Sequence, residues 1–205
     1  MKYPVVFAVA DIETGGLSAS KNPICEIAIC PIDEELNNLE EYTSIIAPYD
    51  DKLEYTDGAL KANGMSMEMI KGGKDSKEVV RELCQYLTSL KRGRALPILC
   101  GHNISKFDIP FLEAFFTFHG KDLWKFVEKS YHIDTMWWAR TKWTESTNYK
   151  LTTCCDNVGI ELVDAHRAVN DTRSNKQLVI DFIKSLRGNG DGSVEVNRYR
   201  KTFEF

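Results

Sequence analysis

The fold is decided by one stretch near the start of the chain, Val5-Val6-Phe7-Ala8-Val9-Ala10-Asp11-Ile12-Glu13-Thr14-Gly15-Gly16-Leu17. Its first half, from Val5 to Ala10, is almost unbroken in apolar character. Such a run is typical of a strand that is buried on both faces of a sheet. The apolar run stops at Asp11, so we predict a central strand with acidic residues at its carboxyl end.

Asp11 and Glu13 are two residues apart on this extended segment. Their side chains therefore point to one face of the sheet, while Ile12 points to the other. The same spacing recurs at Asp33-Glu34-Glu35, where a solvated hairpin tip is the expected reading. The first copy differs because glycines follow it, and glycines allow a backbone to approach a ligand closely. The two carboxylates could therefore share a metal ion, but a lone DxE pattern also arises by chance in a chain rich in acidic residues.

Further strands and helices follow along the chain. Runs rich in β-branched residues predict a hairpin from Ile24 to Ala47, and short apolar runs predict two more strands. Apolar residues at helical spacing predict several helices. The predicted strands are residues 5–10, 24–32, 42–47, 97–100 and 131–134, and the helices lie near residues 75–93, 108–116, 137–138, 151–158 and 170–186. This order predicts an α/β fold with a mixed five-stranded sheet flanked by helices.

Bulk properties restrict the class of protein. The chain has 205 residues, of which 43% are hydrophobic and 27% charged, as in ordinary globular proteins. We predict one domain over residues 1–187 and a loose glycine-rich extension over 188–205. No apolar run approaches the roughly 18–20 residues of a membrane span, and the first residues lead straight into a predicted strand, so we expect a soluble protein without a secretion signal. The six cysteines lack zinc-finger spacing, so reduced thiols in a cytoplasmic protein are expected, with a disulfide framework as the alternative.

The formal net charge of −4 argues against broad electrostatic capture of a polyanion. It leaves room for an enzyme that gathers carboxylates at one site, because bound divalent cations invert the local charge. Phosphate binding at such a site would depend on metal.

Two later segments add polar residues at element boundaries. The segment from Gly101 to Leu112 places Asp108 where a strand turns into a helix, and the segment from Ala165 to Asp171 has His166 five residues before Asp171. Taken separately, each Asp could be a helix cap and the His a surface residue.

Taken in order, however, the three segments resemble the three motifs of the DEDD 3'-5' exonucleases. A His with four residues between it and the last Asp marks the DEDDh (DnaQ-like) branch. Two weaker similarities lie between the motifs, at Asn63-Gly64-Met65-Ser66 and Tyr131-His132-Ile133-Asp134-Thr135. The chain departs from the family where Ile12 and Gly15 replace a frequent Thr and where Asn63 replaces a frequent His.

The resemblance implies a ribonuclease H-like fold that binds two divalent cations, Mg²⁺ or Mn²⁺. It implies that Asp11 contacts both ions, that Glu13 and Asp171 complete one site, and that Asp108 supports the other. His166 would accept a proton from the attacking water, which its ordinary pKa near 6.5 permits. The implied catalytic residues are Asp11, Glu13, Asp108, His166 and Asp171, and the implied substrate contacts are Thr14, Gly15, Leu17, Asn103 and Phe107.

The function implied is release of 5'-nucleoside monophosphates from 3' ends, with single-stranded DNA as the expected substrate. An RNA-trimming exonuclease similar to oligoribonuclease is the first alternative, and a non-catalytic nucleic-acid-binding module of the same fold is the second. The oligomeric state is left open, with a homodimer and association with a polymerase both considered. Leu17 is expected either to wedge between bases or to pack. Four tryptophans could stack on bases or pack internally, namely Trp124, Trp137, Trp138 and Trp143.

Overall fold

The structure is a computed structural model that describes residues 4–161 and 167–188. Its five strands form one sheet in the order β3-β2-β1-β4-β5. The hairpin strands pair antiparallel with β1, while β4 and β5 are parallel to it. The strands are β1 (Phe7–Thr14), β2 (Ile24–Ile32), β3 (Tyr42–Ile45), β4 (Ile98–Gly101) and β5 (Ile133–Asp134). The predicted mixed five-stranded sheet is therefore confirmed.

Helices cover both faces of the sheet. The helices are α1 (Asp57–Ala62), α2 (Met67–Lys71), α3 (Ser76–Ser89), α4 (Asp108–Phe118), α5 (Thr135–Lys142), α6 (Leu151–Asp156) and α7 (Ala168–Arg187), with a 3-10 turn at Leu123–Lys125. Side-chain caps mark the starts of α1, α2, α3 and α5, where the capping residues are Thr56, Ser66, Asp75 and Asp134. The Asp75 side chain caps α3 by accepting from the backbone N–H groups of Lys77 and Glu78.

Alternation along β1 divides the core into two layers. The side chains of Ala8, Ala10 and Ile12 face α3 and α4, where they pack in one large cluster. Phe7 and Val9 face the opposite layer and pack with Val179 and Ile183 of α7. Asp11 and Glu13 continue this second series, so the acidic side chains lie on the α7 face of the sheet, as predicted.

The structure differs from the sequence predictions at three elements. Strand β1 does not end at Asp11 but continues to Thr14, because β2 pairs with it through the register Asp11↔Ala28 and Glu13↔Glu26. Helices α1 and α2 were not predicted. Helix α2 begins directly after Ser66, whose side chain caps it by accepting from the backbone N–H of Met69.

Within the described residues, no helix is both long enough and apolar enough to cross a membrane. All six cysteines are free thiols and five of them are buried, so the alternative of a disulfide framework was wrong. Helix α7 ends at Arg187, and the predicted C-terminal extension lies outside the described residues apart from Gly188.

Candidate active site

Three carboxylates converge at the carboxyl end of β1. Asp11 and Glu13 project from the strand, and Asp171 projects from the first turn of α7, which packs across this face of the sheet. One oxygen of each carboxylate lies within 4.8 Å of the other two. All three side chains are partly exposed, so a ligand can reach them from solvent. The structure thus brings together residues that are 160 positions apart in the sequence.

Asp108 is the fourth predicted carboxylate, and it lies at the same edge of the sheet. Its side chain is buried, and its Oδ1 accepts a hydrogen bond of 3.2 Å from the backbone N–H of Ile12. Asp108 is the first residue of α4, but Phe107 occupies the N-cap position and no side chain caps the helix. The alternative of a simple helix-capping Asp is therefore wrong. Asp108 links α4 to the strand that carries Asp11 and Glu13.

Crowding of like charges changes the acidity of these groups. Burial, followed by the charges of Asp108, Glu13 and Asp171, raises the pKa of Asp11 well above its usual range. Burial and the neighbouring Asp171 raise the pKa of Glu13 to about 7. Burial raises the pKa of Asp108 to about 7 as well. Ionisation of the cluster therefore costs free energy, because like charges repel in a partly buried site, and a bound cation would offset this repulsion.

A buried ion pair beside this cluster was missed by sequence reasoning. Glu26 of β2 lies opposite Glu13, and its carboxylate is 2% exposed. Arg167, directly before α7, donates to both of its oxygens at 2.9 and 3.2 Å, and the backbone N–H of Ala168 donates at 3.4 Å. This contact fixes the start of α7, and with it the turn that carries Asp171. A charged residue in the middle of an otherwise apolar strand was the available signal.

The loop after β1 is fixed by its own backbone and by Asn22. The hydroxyl of Thr14 donates to the carbonyl of Gly16, and the N–H of Gly15 donates to the carbonyl of Pro23. A Cβ on Gly16 would stand 2.5 Å from Asn22, so no larger residue fits there without a shift. Leu17 follows with its side chain 88% exposed, which excludes the packing alternative within the described structure.

Asn63, which stands where the family frequently has His, also contacts this loop. Its side-chain Nδ2 donates a hydrogen bond of 2.9 Å to the carbonyl of Thr14. The C-terminal end of α1 is thereby attached to the end of β1, next to Glu13.

The second motif is held in place by Asp134. Asn103 has a left-handed backbone conformation with a φ of 63°. Its backbone N–H donates a hydrogen bond of 3.0 Å to Asp134 Oδ1. The Ser105 hydroxyl donates 2.8 Å to Asp134 Oδ2. Phe107, the remaining predicted substrate contact in this motif, is half-buried against the core and packs on the ring of Phe111.

His166 lies outside the described residues. Two of the other histidines have hydrogen-bond partners that suit a structural role. His102 bonds to Thr135 and Tyr149 through its two ring nitrogens, and His132 bonds to Ser105. The tryptophans divide between the expected uses, since Trp124, Trp138 and Trp143 pack against hydrophobic clusters, whereas Trp137 is 49% exposed.

The donor set fits a hard divalent cation. Asp11, Glu13 and Asp171 offer only oxygen ligands, which Mg²⁺ and Mn²⁺ prefer, and they leave space for solvent on the open side. The buried Asp108 is close enough to raise the pKa of Asp11, and it could complete such a site. The second DxE spacing has no such use, because Asp33 accepts from the backbone of its own turn at Glu35 and Asn37.

The sheet order, the helices on both faces and the carboxylates at the end of β1 define the ribonuclease H-like class of nucleases. Residues 8–179 match the RNase_T family, whose description is Exonuclease. The chain belongs to this exonuclease family. The resemblance to DnaQ-like exonucleases that the three motifs indicate is thereby confirmed for the family and its fold.

The curated relatives include large polymerases. The chain is 30% identical over 180 residues to the PolC-type DNA polymerase III of Halalkalibacterium halodurans, and 28% identical over 188 residues to that of Bacillus subtilis. These alignments cover 87% and 90% of this chain but only 11% and 12% of the polymerases. The similarity is confined to a small part of each relative.

Solved structures with the same fold include exonuclease I. The chain matches E. coli exonuclease I in complex with a dT13 oligonucleotide with a TM-score of 0.73 and 18% identity, over 90% of this chain and 44% of the other. It matches an ExoI/SSB-Ct complex with a TM-score of 0.70 and 20% identity, over 86% and 41%. At this level of identity the match establishes the fold.

Proposed function

We propose that this chain is a metal-dependent 3'-5' exonuclease that releases 5'-nucleoside monophosphates, with single-stranded DNA as its preferred substrate. The observation that carries the proposal is the convergence of Asp11, Glu13 and Asp171 within 4.8 Å, with Asp108 buried beside them. PolC-type DNA polymerases among the relatives, and exonuclease I bound to DNA oligonucleotides among the structures, favour DNA over RNA.

The chemistry follows from the donor set and from the third motif. Two divalent cations, Mg²⁺ or Mn²⁺, held by the four carboxylates would stabilise the charge that develops on the attacking and leaving oxygens. His166 would accept the proton of the water that attacks phosphorus. The bond from phosphorus to the 3' oxygen breaks, so the products are a 5'-monophosphate and a strand shorter by one nucleotide.

The remaining predicted substrate contacts surround this centre. Thr14 and Gly15 would present backbone to the terminal nucleotide, and the exposed Leu17 would separate the last base from its neighbour. Asn103 and Phe107 would bound the pocket from the side of the second motif. These roles rest on the family resemblance and on the location of both loops beside β1.

A polymerase is the partner we propose, because the similar segments occur within PolC-type polymerases. A homodimer is the alternative. The free, mostly buried thiols are compatible with the reducing cytoplasm that we propose as its location.

The test is incubation of the purified chain with 5'-labelled linear single-stranded DNA, circular single-stranded DNA, duplex DNA and RNA. Each substrate is tested with Mg²⁺, with Mn²⁺ and with excess chelator. We expect a ladder that shortens from the 3' end, requires metal and is absent from the circle. Glu34→Gln, at the partly exposed hairpin tip and remote from the carboxylate cluster, is the matched control for Asp11→Asn.

Three outcomes would count against the proposal. Robust cleavage in chelator would refute the metal dependence, and equal cutting of the circle would refute the need for a free end. Faster trimming of RNA than of DNA would replace the proposed substrate by the ribonuclease alternative.

A further inference from the structure

A cationic and aromatic surface lies outside the carboxylate cluster. The Trp137 ring is 49% exposed. The Lys106 ammonium lies 5.7 Å from its centroid, and the Arg140 guanidinium lies 5.0 Å from it. Arg140 also lies 5.6 Å from the ring of Tyr149. We call Lys106, Trp137 and Arg140 the Trp137 surface.

This surface is at the same edge of the sheet as the acidic site. Strands β1, β4 and β5 are parallel, so their carboxyl ends share one edge. Trp137 is in the first turn of α5, which follows β5 directly, and Lys106 is two residues before Asp108. Asp134 joins the two segments, since it accepts from Asn103 and Ser105 and caps α5 through Met136.

The charges of the surface are available to a ligand. Neither Lys106 nor Arg140 forms an ion pair with a carboxylate within residues 4–161 and 167–188, whereas Lys142 on the same helix is paired with Asp181. In a chain of net charge −4, two cations that flank one exposed aromatic ring are a local concentration of positive charge. Their complement is a polyanion that also has flat apolar faces, which is the chemistry of a single-stranded nucleic acid.

We propose that the Trp137 surface binds the single-stranded DNA substrate on the 5' side of the scissile phosphate. Trp137 stacks on a base, and Lys106 and Arg140 contact backbone phosphates. The inference rests on the proposed function, since it extends the path of the same substrate beyond the terminal nucleotide. When the 3' end of the DNA is at the carboxylates, the rest of the DNA must continue across the protein surface or into solvent. The Trp137 surface provides a path along the same edge of the sheet.

The test compares substrates of different length. Steady-state kcat/KM is measured for dT12 and for the dinucleotide dTpdT with the unaltered chain, Trp137→Ala and Trp137→Phe. Stacking on one base is worth enough for about a tenfold effect. We expect the loss in Trp137→Ala to be about tenfold greater on dT12 than on dTpdT, and Trp137→Phe to restore most of it.

The cations are tested through salt. For single strands, the logarithm of affinity falls with the logarithm of salt by about 0.7 for each phosphate contact. In a plot of log kcat/KM for dT12 against log salt concentration, the magnitude of the negative slope should therefore be smaller by about 0.7 in Lys106→Met and in Arg140→Met. Lys129→Met is the matched control, because the Lys129 ammonium also lies close to a tryptophan ring, 5.9 Å from the centroid of Trp124. The backbone N–H of the preceding residue, Glu128, donates to the carbonyl of Pro97, directly before the start of β4, so Lys129 lies at the opposite edge of the sheet. This variant should leave the slope unchanged.

The outcomes separate the two proposals. If the unaltered chain trims dT12 but Trp137→Ala loses nothing, or loses equally on both substrates, the binding role of the Trp137 surface is overturned and the exonuclease proposal stands. If the unaltered chain hydrolyses neither substrate in Mg²⁺ or Mn²⁺, the exonuclease proposal itself fails.

Discussion

At the scale of single residues, the acidic side chains show a conflict between folding and function. The raised pKa values of Asp11, Glu13 and Asp108 mean that each carboxyl binds its proton more tightly in the folded chain than in the unfolded one. Without metal, the cluster therefore lowers stability as the pH rises from the usual carboxyl range near 4 toward 7. Below that range the penalty is absent, because the groups are protonated in both states.

Asp11→Asn should make the metal-free protein more stable at pH 8. With chelator present, we expect its Tm to exceed that of the unaltered chain by about 5 °C at pH 8, and the difference to shrink toward pH 4. Differential scanning calorimetry across this pH range provides the measurement, with Glu34→Gln as control. A Tm difference that does not change with pH would show that clustered charge is not its cause.

His166 offers the complementary case, in which rate and metal binding should separate. A positioned general base contributes roughly 10² to 10⁴-fold to rate, so His166→Ala should lose about that much turnover and still bind Mn²⁺. Asp171→Asn should lose both, because it removes a cation ligand. Turnover together with Mn²⁺ titration by calorimetry distinguishes them. Near-normal turnover in His166→Ala at neutral pH would remove the residue from the proposed mechanism.

At the scale of elements, helix α7 is positioned by a buried ion pair at its start. Arg167→Met would leave the buried Glu26 carboxylate without its cation beside the acidic cluster. Because the Arg167 side chain is itself 40% exposed, the free energy of unfolding should fall by about 2 kcal/mol, less than for a fully buried pair. Arg173→Met is the matched control, because Arg173 pairs with the more exposed Glu41 and its loss should cost less than about 1 kcal/mol. Urea denaturation of both variants gives the comparison. Equal losses would mean that burial of Glu26 confers no special role on Arg167.

The elements also show how far sequence reasoning extends. The hairpin, β4, α3 and α7 follow from apolar periodicity and capping, because burial of their own side chains decides them. The continuation of β1 past Asp11 depends on hydrogen bonds to β2, which the composition of β1 cannot reveal. Helices α1 and α2 are too short for periodicity to show. The acceptor role of Asp108 depends on Ile12, 96 residues away.

At the scale of the whole molecule, the net charge does not describe how charge is distributed over the surface. The net charge is −4, and the carboxylate cluster concentrates part of the negative charge at one edge of the sheet. The Trp137 surface lies at the same edge, and its two cations have no carboxylate partners in the described chain. The overall charge predicts that the protein as a whole does not capture a polyanion. It could not show how the exceptions are arranged, because that arrangement depends on which strand ends meet at one edge.

The pairing of β1 with α7 also has a consequence for biosynthesis. Asp11 and Glu13 leave the ribosome well before Asp171 and the helix that covers this face of β1. A nascent chain therefore has no complete carboxylate cluster until almost all of the domain has been translated. If the cluster acts as proposed, a chain that carries only the first two motifs would be inactive, and activity would begin only when the fold is complete.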